Sequence, residues 1–229
     1  MRSRAVTAAV IAIDGPSGSG KGTLAEALAR RLGWRLLDSG ALYRSVALAA
    51  AQRKVGFDDE AGLADIARQL GIEFRPGDAG IAVRLDGQDV TLQIRAESVS
   101  ANASRVAALR AVRKALLERQ RGFRCEPGLV ADGRDMGTVV FPDAQLKVFL
   151  EASPEERAAR RHKQLIDKGL GGSLRDLLVG IRERDERDRQ RVESPLVPAQ
   201  DAVVIDSTAL GIDAVEQRVW QLIEARGLL

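Results

Sequence analysis

The chain has 229 residues, 45% of them apolar and 29% charged, with a formal net charge of +3. That length suits one large α/β domain, or one core carrying small inserted lobes. The composition argues against a disordered chain, and the sequence against a membrane span, because no stretch approaches the roughly 20 apolar residues a span needs. A lone cysteine, Cys125, precludes an intrachain disulfide and fits a reducing cytoplasm, and a lone histidine, His162, leaves little material for histidine metal clusters or a Ser-His-Asp arrangement.

In chain order, residues 1–4 are basic and 5–13 apolar, a superficial likeness to a signal peptide. The apolar run, however, ends at Asp14-Gly15-Pro16 and leads into a phosphate-loop pattern, so it reads as a strand. Short apolar runs at 10–13, 35–37, 129–131, 146–150 and 202–205 read as buried strands, several closed by an acidic residue (Asp14, Asp38, Asp132, Asp206). Leu24, Leu28 and Leu32 fall at i, i+4 and i+8, with Gly33 as a stop, which predicts a helix. Strands alternating with helices predict a parallel sheet covered by helices. Residues 72–91 differ: two runs alternate apolar with polar residues, broken by Pro76-Gly77-Asp78 and Asp86-Gly87. They predict a small antiparallel sheet inserted into the core, either a surface lobe or an acceptor-binding flap.

Gly15-Pro16-Ser17-Gly18-Ser19-Gly20-Lys21 matches G-x-x-x-x-G-K. Glycines there let backbone N–H groups converge on phosphates, the following helix points its positive end at the same place, and Lys21 adds a cation that follows the transferred group. The next residue is Gly22 rather than Ser or Thr, and a hydroxyl arrives only at Thr23. A direct magnesium ligand from the protein is therefore absent or displaced, leaving Mg²⁺ to nucleotide phosphates and water, with Ser17 and Thr23 as the candidate hydroxyls.

Further along, Asp38, Ser39 and Arg44 follow a predicted strand, where ligand crevices form in open α/β sheets. Ser39 can hydrogen-bond a base and Arg44 can hold a phosphate, while Asp38 or Ser39 can equally be a plain helix cap. Asp132 closes an apolar strand, where a carboxylate can order metal-bound water, and Arg134 and Asp135 follow it. Arg157, Arg160 and Arg161 follow a helix start at Pro154-Glu155-Glu156 and suit a lid over donor phosphates, with Gly169, Gly171 and Gly172 as hinge material; a merely exposed basic helix fits the same pattern. In the charge run 182–191, helical spacing puts Arg184, Asp188 and Arg191 on one face, able to grip a phosphate and a ribose diol. The arginines and a pI near 9.3 also raise a nucleic-acid-binding module, but aromatics are only 3% and acidic residues interleave the basic run. A non-catalytic nucleotide sensor is the other rival.

Taken together, GPSGSGKGT (15–23), LLDSGALYR (36–44), ADGRDMGTVVFPDA (131–144), EERAARR (155–161) and RERDERDR (182–189) make the chain resemble bacterial cytidylate kinases over nearly its whole length. The resemblance implies a P-loop kinase core with a five-stranded parallel sheet, an inserted antiparallel monophosphate-binding lobe at about 63–108 and a short lid at about 157–172. It implies transfer of the γ-phosphoryl group of ATP, with Mg²⁺, to CMP or dCMP in a cytoplasmic monomer that engages neither nucleic acid nor membrane. Another acceptor, UMP or a shikimate-like hydroxyl, is the alternative. It further implies that residues 15–23 and Arg157 hold ATP, and that Ser39, Ser104, Arg113 and Asp135 read the cytosine edge. Arg44, Arg134, Arg184 and Arg191 would surround the acceptor phosphate, and Asp188 would meet the sugar hydroxyls. Lys21, Asp132, Arg134, Arg161 and Arg184 would carry the chemistry. Cytosine presents an amino donor beside ring acceptors, which calls for a carboxylate together with hydroxyl and guanidinium donors.

Overall fold

The computed structural model describes residues 8–77, 80–167 and 171–229. Five strands, β1 (Ala9–Asp14), β2 (Arg35–Asp38), β6 (Gly128–Gly133), β7 (Leu146–Glu151) and β8 (Val203–Asp206), form a parallel sheet in the order β2-β6-β1-β7-β8. Each expected strand is present. Both faces of the sheet are covered, so its central strands are apolar throughout rather than alternating. Val10, Ala12, Leu129 and Ala131 face one cluster, whereas Ile11, Ile13, Val130 and Val148 face the other. Helices α1 (Lys21–Leu32) and α8 (Ile212–Ala225) cover the second face. Helices α2 (Ser39–Gln52), α3 (Glu60–Gln69), α4 (Glu97–Val106) and α5 (Arg110–Arg121) cover the first.

A three-stranded antiparallel sheet of β3 (Ile72–Gly77), β4 (Gly80–Leu85) and β5 (Gln88–Asp89) lies apart from the parallel one, as the alternation at 72–91 predicts. Asp86 (φ 48) and Gly87 (φ 83) make the tight turn between β4 and β5. Val83 and Leu85 anchor the small sheet in the core. Of the other turn signal, Asp78 lies outside the described residues. So do residues 1–4 and Gly169 of the expected hinge, while α6 (Pro154–Asp167) and α7 (Leu174–Gln190) flank that segment. Among the described residues no helix is long and apolar enough to cross a membrane.

The register places the functional ends together. Asp14 pairs with Gly133 and Asp38 with Asp132, so β1, β6 and β2 all finish at one edge of the sheet. The segments that follow them, residues 15–20, 134–140 and α2, open on a common crevice.

Candidate active site

The loop at 15–20 owes its path to two glycines. At Gly15 (φ +150) a Cβ would stand 2.2 Å from the Leu150 carbonyl oxygen, so β7 passes too close for any side chain. Gly20 (φ 94) caps α1 in the left-handed conformation and leaves its first N–H groups aimed into the loop. Lys21, the first residue of α1, is buried, and its Nζ donates to Pro16 O at 3.2 Å and lies 3.8 Å from Asp132 Oδ1. Burial, with Arg134 close by, lowers its pKa to about 7 despite the opposing pull of Asp132. Gly22 also has a steric reason: a Cβ there would sit 3.2 Å from Asp132 Oδ2. The hydroxyl of the commoner loop would press on the carboxylate that Lys21 faces.

Asp14, last residue of β1, accepts from Met136 N and Gly137 N, both at 2.8 Å. One carboxylate thus ties the strand that launches the phosphate loop to a π-helical turn, Met136–Val140, that follows Asp135. Burial pushes Asp14 up to about 7 even with two N–H donors. Asp38 caps α2 through Ala41 N at 2.8 Å and holds Arg44 Nη2 at 2.8 Å, so it serves as both cap and clamp. Burial opposes its ionisation, but Arg44, Ala41 N–H and Lys21 outweigh that and hold its pKa below the usual value.

Two cavities open along this edge. The outer, of about 680 Å³, is lined by residues 17–23 with Arg160, Arg161, Ser207 and Ile212. The inner, of about 250 Å³, is lined by Asp38, Ser39, Tyr43, Ser104, Arg113, Asp132, Arg134, Asp135, Asp188 and Arg191. They meet at Ser17, Gly18, Lys21, Gly22, Arg44 and Arg184, which line both. Ser39, Ser104, Arg113 and Asp135, from α2, α4, α5 and the segment after β6, are brought together in the inner cavity, as are Arg44, Arg134, Arg184 and Arg191.

Within it, Arg134 Nε donates to Asp188 Oδ2 at 3.0 Å, Ser104 Oγ donates to Asp188 Oδ1 at 3.3 Å, and Arg113 pairs with Asp135. Burial works against the Asp188 carboxylate, but Arg134, Arg191 and Arg184 keep its pKa below the ordinary range. Arg184 stands apart: among the described residues it forms no ion pair within 4 Å, and its buried Nε has no hydrogen-bond partner. Burial, reinforced by Arg134 and Arg44, lowers it to about 10. Arg44 Nε, Arg191 Nη2, Tyr43 Oη and Asp132 Oδ1 are likewise buried without a hydrogen bond, although Arg191 Nη2 and Asp132 Oδ1 each have an opposite charge at 3.8 Å. Four guanidinium groups converge there, three of them (Arg44, Arg184 and Arg191) with a buried donor free of hydrogen bonds, which makes an anion site of phosphate chemistry.

Arg157, expected to hold ATP, lines neither cavity; it lies beneath the loop, 1% exposed, donating to Asp185 Oδ1 at 3.0 Å, Ser17 O at 3.1 Å and Ala152 O at 2.9 Å. Its position on α6 turns it toward α7, and a buried guanidinium needs a carboxylate, which Asp185 supplies. Arg160 instead lines the outer cavity, bonded to Ser19 O at 3.4 Å and Ser207 O at 2.6 Å. Arg161 also lines it, paired with Glu97 at the start of α4. Asp14, Tyr43 and Gln120, whose Nε2 donates to Ser39 Oγ at 2.8 Å, were not expected at the site. Asp14 carried a signal as the last residue of a predicted strand, and Gln120 as an amide on an apolar helical stripe.

Asp132 Oδ1, on the inner cavity wall beside Lys21, is buried without a hydrogen-bond partner and fits an outer-sphere role toward Mg²⁺. Among the described residues no group of three or more His, Cys, Asp and Glu side chains is placed to hold a metal ion.

The family model described as cytidylate kinase matches residues 11–225. A cytidylate kinase of Aeromonas hydrophila is 58% identical over 208 residues, covering 91% of this chain and 90% of the relative. One from Serratia proteamaculans is 57% identical over 212 residues, 93% of each. One from Pseudomonas aeruginosa is 57% identical over 220 residues, 95% of this chain and 96% of the relative.

Proposed function

The chain belongs to the cytidylate kinase family, and from that premise we infer that it transfers the γ-phosphoryl group of ATP to CMP or dCMP, giving CDP or dCDP and ADP. The observation that carries the reading is the meeting of two cavities at Lys21, Arg44 and Arg184. One cavity is walled by a phosphate loop and the other by paired carboxylates, hydroxyls and guanidinium groups.

ATP takes the outer cavity, its phosphates against the N–H groups of residues 15–23 and its base toward Ile212. CMP takes the inner one. Asp135, held by Arg113, accepts from the cytosine amino group beside Ser39 and Ser104, Asp188 meets the sugar hydroxyls, and Arg44, Arg134, Arg184 and Arg191 hold the phosphate. A phosphate oxygen of CMP bonds to the γ-phosphorus as the bond to the β,γ-bridging oxygen breaks, and that oxygen leaves on ADP. The monoester oxygen is already anionic near neutrality, so alignment and charge neutralisation supply the rate, with no strong base. Lys21 and Arg184, at the junction, follow the charge on the moving group; Arg161 approaches it from the outer side. Thr23 or Ser17 and water ordered by Asp132 would hold a nucleotide-borne Mg²⁺, which would supply neutralisation of phosphate charge. Residues 63–108 would act as the acceptor lobe and 157–172 as the lid, closing to exclude water. A monomer in the cytoplasm is the proposed setting, in keeping with the lone cysteine.

The test is ADP production with ATP–Mg²⁺ against CMP, dCMP, UMP, AMP, GMP and shikimate. Turnover confined to the cytidine nucleotides supports the reading; strong turnover with another acceptor alone sinks the base assignment and leaves the phosphotransferase.

A further inference from the structure

Helix α5 carries a buried amide where its periodicity calls for an apolar side chain. Val112, Leu116 and Gln120 fall at i, i+4 and i+8 and are all buried, Gln120 to 1% exposure. A primary amide on such a stripe loses its water and must recover hydrogen bonds from the protein. Gln120 Nε2 does so by donating 2.8 Å to Ser39 Oγ, itself 3% exposed and lining the inner cavity. Gln120 does not line that cavity, so any influence it has on a bound acceptor passes through Ser39.

We propose that Gln120 is a positioning residue for acceptor recognition: it pins the Ser39 hydroxyl oxygen at the cavity wall and fixes which of its bonding directions remain for the base. This rests on the reading of Ser39 as a base contact. With one lone pair taken by the amide, Ser39 keeps its hydrogen and one lone pair for the ligand. Without the amide the hydroxyl is free to rotate among staggered positions, and the acceptor must fix it on binding. Arg113, seven residues earlier on the same helix, holds Asp135, which lines the same cavity. Two of the proposed base readers, Ser39 and Asp135, are therefore each bonded to a side chain of one helix, α5.

The experiment is a double-mutant cycle of Gln120→Met, which keeps length and volume, with Ser39→Ala, reading KM for CMP, KM for ATP and kcat. Gln120→Leu provides a second side chain without a donor should the methionine variant fold poorly, and thermal unfolding sets an assay temperature at which all variants are folded. Gln120→Met is expected to raise KM for CMP roughly three- to tenfold, the loss of one buried hydrogen bond, with KM for ATP within about twofold. In the double variant Gln120→Met is expected to add nothing to Ser39→Ala. A normal KM for CMP in both Gln120 variants, or effects that multiply with Ser39→Ala, overturns the proposal while leaving Ser39 as a base contact. A silent Ser39→Ala overturns the base contact itself, and the proposal with it.

Discussion

Replacing Arg184 with methionine should stabilise the nucleotide-free protein while removing most of its turnover. Arg184 has neither an ion pair within 4 Å among the described residues nor a hydrogen-bond partner for its buried Nε, and burial together with Arg134 and Arg44 lowers its pKa to about 10. The depressed value means that the folded protein disfavours a charge it nevertheless carries at pH 7. Taken in full, the shift corresponds to about 3 kcal/mol, and screening of this partly exposed side chain reduces that to about 1–2 kcal/mol. Methionine keeps the stem and drops the charge. We expect the nucleotide-free variant to gain roughly 1 kcal/mol in urea unfolding and kcat to fall about 10²- to 10³-fold, the scale of losing one preorganised donor to transition-state charge. The gain should shrink or reverse with a phosphate-bearing ligand bound, because that ligand gives Arg184 its missing counter-charge. A variant less stable by more than about 1 kcal/mol without ligand, or one within tenfold of normal turnover, refutes this account of Arg184.

Lys21→Ala should lower kcat by more than about 100-fold with the unfolding transition intact; turnover within tenfold removes Lys21 from the chemistry. Because Lys21 titrates near 7, it is mostly neutral above that pH, and a triphosphate should restore its charge. Calorimetry in buffers of different ionisation enthalpy should therefore show ATP binding take up close to one proton at pH 8, and little at pH 6 from this group. No buffer dependence at pH 8 would contradict the assignment. Asp135→Ala should raise KM for CMP far more than KM for ATP, and equal losses would count against base reading. Gly15→Ala should destabilise the fold by at least about 3 kcal/mol, since its Cβ would stand 2.2 Å from a backbone oxygen in a left-handed conformation; a variant with near-normal melting temperature would show that the loop can shift.

Much of the site is visible in the sequence because its chemistry sits beside strand ends. Asp38, Asp132 and the loop from Gly15 each follow an apolar run, and parallel strands in register bring such ends to one edge. Arg184, Asp188 and Arg191 are legible from helical spacing. Arg157 shows the limit of that reasoning. Spacing places Arg157 and Arg161 on one side of α6, but the neighbour that side meets changes along the helix: Asp185 and the loop for Arg157, Glu97 and the cavity for Arg161. Asp14 and Gln120 escaped for a different reason. Their partners lie 122 and 81 residues away, and a pattern local in sequence cannot say which strand end or helix start will stand opposite.

The claim that two substrates meet at one junction is tested most directly by a bisubstrate inhibitor joining adenosine and cytidine through a short polyphosphate chain. It should compete with both ATP and CMP and bind more tightly than either nucleotide, because its chain runs past Lys21, Arg44 and Arg184 from one cavity to the other. Competition with ATP alone, at an affinity no better than ATP, would contradict the account by showing that the inner cavity does not hold the cytidine end.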